Sequence, residues 1–330
     1  MNKAKTMRRN TVPHASTTVL ASCCAIGVIT VVVTLVWSRG SLIQERTGSA
    51  GTSATATAEY GKRLIAQTTE LLGPDVADPK MRYTTSRLAC ASCHLGAGLE
   101  PGNLSLVAAF SHYPRISPRS GGNETIQDRI NGCMTRSMNG RPLAGNSPEM
   151  LAMISYLQFL GDQDAATGAS KRQAHDPPPF ETPNRAANLE AGRRVFEKRC
   201  AACHGQDGAG LPAAPDLIHG YVFPPLWGVN SFNDGAGMHH VLTAARFIKA
   251  RMPLGRSDLD DDQAFDVASF INSKPRPEIT GLDRDYPDRS KKPVDTSYGP
   301  YLDPFPIEQH RFGPFQPIEA YYKNRQKLSH

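Results

Sequence analysis

Cys90-Ala91-Ser92-Cys93-His94 and Cys200-Ala201-Ala202-Cys203-His204 decide how this chain is read. Each is the five-residue pattern that attaches haem c: two thiols form thioether bonds to the vinyl groups, and the adjacent His turns inward as proximal iron ligand. A zinc or redox pair competes for either copy taken alone, but a zinc site wants a second pair of ligands at a compatible spacing. Two covalently bound haem c groups are therefore expected, held by Cys90, Cys93, Cys200 and Cys203, with His94 and His204 on the irons.

Working outward, each motif is entered from a helix and left by one. Tyr60, Leu64, Ile65, Leu71 and Leu72 recur at helical spacing before the first; Leu189, Gly192, Phe196 and Cys200 do so before the second. After a Gly- and Pro-rich stretch, Ser147-Pro148-Glu149 opens one closing helix and Asp260-Asp261-Asp262 the other. The reading is all-α: two tandem cytochrome c-like haem domains over 59–162 and 185–277. Residues 163–184, with Pro177 to Pro179, read as a linker. The Pro- and Tyr-rich tail 278–330 reads as an irregular segment that wraps the domains or docks a partner.

The formal charge of +6 implies no nucleic-acid partner, because six Lys/Arg against one acid fall in residues 1–50 and the remainder is nearly neutral. Those first residues carry Lys3, Lys5, Arg8 and Arg9 before an uncharged run from Thr18 to Trp37. Residues 1–46 read as an export signal or an uncleaved membrane anchor, which places haem c in the periplasm, free or tethered to the inner membrane.

The repeat also tests the distal ligands. Met252, in Met252-Pro253-Leu254-Gly255, follows His204 by 48 residues and is the expected sixth ligand of the second haem, with Met238 its competitor and His239 and His240 weaker ones. In the first copy that register falls on Arg141, so the methionine is lost. Eight residues upstream stands Cys133, the one cysteine outside the haem motifs and the Cys23-Cys24 pair. A thiolate is a strong haem ligand; a buried inert cysteine, with Met134 or Met138 on the iron, is the alternative from spacing alone. Arg115, Arg119, Arg129, Arg136 and Arg141 surround it in sequence, whereas Glu124 and Asp128 are the only acids over 101–146. Such a segment invites a small oxyanion and lowers a thiol pKa, although some of these arginines pair with haem propionates in the plainer reading.

The signature Arg129-Ile130-Asn131-Gly132-Cys133, continuing through Arg136-Ser137-Met138-Asn139-Gly140 to Pro142-Leu143, resembles the cysteine-ligand segment of the dihaem thiosulfate dehydrogenases. The similarity continues through 223–228, 231–238, 245–249, 252–255 and 298–305. It implies a periplasmic enzyme that couples two thiosulfates into tetrathionate, reversibly in principle, and passes two electrons to a soluble cytochrome c or another acceptor. By that resemblance Cys133 is the distal ligand of the active-site haem and its catalytic thiol, Arg119 and Arg129 hold substrate anions, and Ser137 lines the pocket. Where some members carry a lysine that exchanges with the second haem's methionine, this chain has Arg251, which argues against a ligand switch. The alternative is a dihaem electron carrier without sulfur chemistry, in which Cys133 only tunes a potential. A dihaem peroxidase would need a distal acid that this chain does not evidently offer.

Overall fold

The computed structural model describes residues 55, 57–100, 104–168 and 180–328. The expected signal or anchor over 1–46 lies outside them, as do residues 169–179 of the expected linker. No helix among the described residues is long and apolar enough to cross a membrane.

The first half begins with helical residues 57–66 and Thr68–Leu72, together α1. The first haem motif follows on a short 3-10 turn, Cys90–Ser92. Strands β1 (Arg115–Ile116) and β2 (Asn123–Glu124) form a minimal antiparallel hairpin, with α2 (Ile126–Gly132) and α3 (Pro148–Thr167) after it. The second half repeats the plan: α4 (Leu189–Arg199), α5 (Ala201–His204), the small ladder β3 (Leu211–Pro212) with β4 (Tyr221–Phe223), α6 (Val241–Arg251) and α7 (Asp261–Asn272). Strands are so short that the architecture is helical, two cytochrome c domains in tandem.

Local sequence accounts for the closing helices. Ser147 accepts the Met150 N–H at 3.2 Å and Pro148 occupies the first helical position, where its missing N–H costs nothing. Asp260 and Gln263 cap α7 reciprocally, Gln263 N–H to Asp260 at 2.7 Å and Asp260 N–H to Gln263 at 3.2 Å. The apolar rhythm of α3 ends at Leu160, yet the helix continues to Thr167, into the stretch read as linker. It stops at Gly168, whose φ of 59° is the left-handed cap that terminates helices; nothing earlier breaks it.

In both halves the entering helix crosses the closing helix at a glycine. A Cβ on Gly61 would lie 2.0 Å from the Ala152 carbonyl oxygen, and one on Gly192 would lie 2.1 Å from that of Asp266. Backbone cannot yield as a flexible side chain does, so these glycines set the approach of the two helices. Gly→Ala within a helix ordinarily stabilises by about 1 kcal/mol. Here Gly192→Ala is expected to destabilise by about 3 kcal/mol instead, read by denaturant unfolding of the haem-loaded protein; unchanged or increased stability would show that the crossing is loose.

The cores are not wholly separate. The first gathers Leu64, Leu72, Met134, Met138, Leu143, Met150 and Met153, joined by Phe232 and Ala236 from the second half. The second gathers Phe196, Ala245, Phe265, Ala268 and Ile271, joined by Phe315 and Ile318 from the tail. The tail is irregular over most of 278–306 and then ends in two helices, α8 (Ile307–Phe312) and α9 (Gln316–Leu328). Phe315 and Ile318 are fully buried, each contributing about 1.5–3 kcal/mol of burial. Asp295 of the tail accepts the Leu242 N–H at 2.9 Å and so serves the first turn of α6.

Candidate haem sites and the Cys133 pocket

Two imidazoles are held alike. His94 Nδ1 lies 2.7 Å from the Leu104 carbonyl, and His204 Nδ1 lies 2.8 Å from the Pro224 carbonyl. A carbonyl only accepts, so each Nδ1 carries the proton and each Nε2 is left with its lone pair, as a proximal iron ligand requires. Burial lowers the His204 pKa against a smaller opposing effect of the Pro224 bond, which keeps the ring neutral and able to ligate. Burial also pushes the Cys90 and Cys93 thiols up to about 11 and about 12, a setting suited to sulfurs that end as uncharged thioethers. No group of three or more His, Cys, Asp or Glu among the described residues is placed to hold a bare metal ion. The donor set fits haem c.

Cys133 sits where α2 runs into a π-helical turn, Cys133–Ser137. The turn is closed by Met138 N–H to Cys133 O at 2.9 Å, a span of five residues that re-aims side chains relative to an α-helix. Its thiol lies beside His94 and close enough to Cys90 and Cys93 to act on both electrostatically. Burial raises the Cys133 pKa, but positive charge beside it, the Arg129 guanidinium foremost, outweighs it, and the thiol is lowered to about 7. Met134 and Met138, the competing ligands, are buried among the aliphatic side chains of the first core. Ser137 is half-buried at the end of the π turn.

The five arginines do not form one cluster. Arg129 acts most strongly on the Cys133 thiol and lies near Tyr113, and Glu124, an acid that acts on it, is paired with Arg115 at 3.0 Å. Arg141 lies over the Tyr83 ring at 3.7 Å and donates to the Lys80 and Arg82 carbonyls at 2.6 and 3.2 Å, an architectural role. Arg119 and Arg136 share one carboxylate: Asp285 of the tail receives Arg119 at 2.9 Å and Arg136 at 2.8 Å, and both guanidiniums also reach the Gly235 carbonyl. The Tyr298 hydroxyl donates to the same Asp285 at 2.7 Å. One carboxylate thus fixes two guanidiniums and leaves a net positive charge.

Asp285, Tyr298 and Tyr113 were missing from the residues expected at the site. So was Asn233, fully buried, whose Nδ2 donates to Thr135 O at 2.9 Å and Asn139 Oδ1 at 3.0 Å, bracing the segment after Cys133. No spacing rule joins Asp285 to Arg119; only the tail's return over the first domain does. On the second haem side, Met252 and Met238 both pack against the second core, and Met238 against the first as well. Arg251 approaches Glu100 at 3.9 Å and Lys249 pairs with Asp261, so neither cation next to Met252 stands free.

Known proteins resemble this chain in both halves. Residues 80–163 match the SoxA/TsdA cytochrome c domain, and residues 187–271 match cytochrome C oxidase, cbb3-type, subunit III. A thiosulfate dehydrogenase of Psychrobacter arcticus is 41% identical over 203 residues, 61% of this chain and 60% of that protein. One of Allochromatium vinosum is 39% identical over 222 residues, 66% of this chain and 77% of that protein. One of Stutzerimonas stutzeri is 38% identical over 200 residues, 59% of this chain and 62% of that protein. The match therefore spans about three fifths of the first and third of these relatives. The solved thiosulfate dehydrogenase (TsdBA) from Marichromatium purpuratum, in its as-isolated form, superposes with a TM-score of 0.60 at 33% identity, over 69% of this chain and 47% of that one. Two haem c domains in tandem, a cysteine set against the histidine of the first haem motif, and relatives of this identity and extent place the chain in one family: it belongs to the dihaem cytochrome c thiosulfate dehydrogenases.

Proposed function

We propose that this chain oxidises two thiosulfates to tetrathionate at the Cys133 pocket, in the periplasm, and delivers the electrons to a soluble cytochrome c or a comparable acceptor. The observation that carries the reading is the placement of the Cys133 thiol against His94 of the first haem motif and beside the Arg129 guanidinium. His94 and Cys133 would hold the first haem, and His204 with Met252 the second. When bound, the two haem c groups accept the two electrons, one each, and pass them outward.

The chain's own task is to bring two dianions together. Two unit charges of like sign about 4 Å apart repel by about 1 kcal/mol in bulk water and about 4 kcal/mol near a protein surface; two dianions multiply this. Arg129 faces the thiol directly, and Arg119, oriented by Asp285, supplies a second fork for a sulfonate. The Cys133 thiolate forms an S–S bond to the outer sulfur of one thiosulfate, giving Cys133–S–S–SO3⁻ with loss of two electrons. The outer sulfur of the second thiosulfate then attacks the sulfane sulfur of that adduct. A new S–S bond forms, the bond to Cys133 breaks, tetrathionate departs, and the thiolate is regenerated. The reverse sequence reduces tetrathionate with the same groups.

The test is stoichiometric. Haem-loaded protein given thiosulfate and ferricyanide without oxygen is expected to form one tetrathionate for every two acceptors reduced. Haems that cycle with ferricyanide while thiosulfate is left untouched would instead identify an electron carrier.

A further inference from the structure

Arg276 lies just past α7 and belongs to none of the groups above. Its Nη2 donates to Ile271 O at 3.0 Å and to Asn272 Oδ1 at 3.2 Å, and its guanidinium lies 4.3 Å from the centre of the Phe232 ring. Its Nε and Nη1 are fully buried and have no hydrogen-bond partner among the described residues. Burial drives this guanidinium down to about 10, opposed only by Asp234, whose carboxylate accepts the Ile279 N–H at 2.9 Å. Buried donors of a charged group left unpaired cost more than neutral ones, and a buried cation without a counter-ion is worse still. Asp234 supplies opposite charge nearby, but no described side chain accepts a hydrogen bond from Nε or Nη1, and an anionic acceptor would satisfy both.

The position narrows the choice. Phe232 packs into the first core beside Met134 and Met138. Asn272, which Arg276 holds, donates through Nδ2 to the Met238 carbonyl at 3.0 Å, and Met238 packs against both cores. Arg276 therefore stands where the two haem domains meet. Thiosulfate and a haem propionate offer the same oxyanion chemistry, but substrate leaves the cation bare between turnovers, whereas a covalently attached haem brings its carboxylates permanently. We propose that Arg276 anchors a propionate of one of the two haem c groups through its buried Nε and Nη1 donors.

This assignment concerns the cofactor and stands whether or not thiosulfate is the substrate. The experiment is a potentiometric titration of both haems in the full haem-loaded chain, comparing wild type, Arg276→Gln and Arg276→Lys. Removing a cation beside a propionate favours the more positive, oxidised haem. One midpoint potential is expected to fall in Arg276→Gln, and to fall less in Arg276→Lys, with the other haem and the thiosulfate KM unchanged. If Arg276→Gln does not assemble, Arg276→Lys keeps the charge and still reports the shift. Both potentials unchanged in every variant that loads haem would overturn the assignment, and a raised KM with unchanged potentials would assign the anion to thiosulfate instead.

Discussion

Cys133→Ser is expected to lose thiosulfate oxidation by on the order of 10³-fold or more, with both haems still attached. The attachment thiols Cys90, Cys93, Cys200 and Cys203 lie outside the change, and so do the His94 and His204 bonds to their carbonyls. A hydroxyl at 133 cannot form the sulfane adduct, and Arg129 cannot make an alkoxide of it near neutral pH. Cys133→Met separates two explanations: it keeps a soft sulfur ligand but removes the nucleophile. Loss in both variants supports thiol chemistry. Activity retained in Cys133→Met would mean that the sulfur only tunes the iron, and the adduct scheme would fall. The measurement is tetrathionate formed per haem under anaerobic turnover.

Arg129→Ala carries the second largest expected effect. The guanidinium lowers the Cys133 thiol, and in the proposed function it also binds the incoming anion. A charge-assisted hydrogen bond contributes about 1.5–3 kcal/mol, so kcat/KM is expected to fall by roughly 10- to 100-fold from that bond alone, with a further loss from a weaker thiolate. Arg129→Lys keeps a point charge without the planar fork and is expected to recover part of the loss. Increasing ionic strength should weaken thiosulfate binding more in wild type than in Arg129→Ala, because screening acts on the charge that the variant lacks. Equal salt dependence in the two proteins would contradict the role given to Arg129.

How far the sequence led, and where it stopped, follows from what each feature depends on. The haem motifs, the helices around them and the caps at Ser147 and Asp260 depend on near neighbours in the chain, so they were legible. The loss of a methionine at Arg141 and the candidacy of Cys133 came from laying one copy over the other. The arginines were legible only as a local excess of charge. Arg115 and Arg141 turned out to be used by Glu124, Tyr83 and backbone carbonyls, while Arg119 and Arg136 are tied to Asp285. That carboxylate comes from the tail, and its meeting with the first domain is a long-range event that no periodicity records. Arg276 escaped notice for a related reason: what marks it is two buried donors left without an acceptor among the described residues, a property of the packed molecule.

The most direct test of the central claim is to look for the adduct itself. Oxidised haem-loaded protein is mixed anaerobically with a single equivalent of thiosulfate, quenched in acid, digested and examined by mass spectrometry. A peptide containing Cys133 and carrying one S2O3 unit, discharged by a second equivalent of thiosulfate with release of tetrathionate, is the expected result. Tetrathionate formed in full yield while Cys133 stays unmodified at every quench time would contradict it.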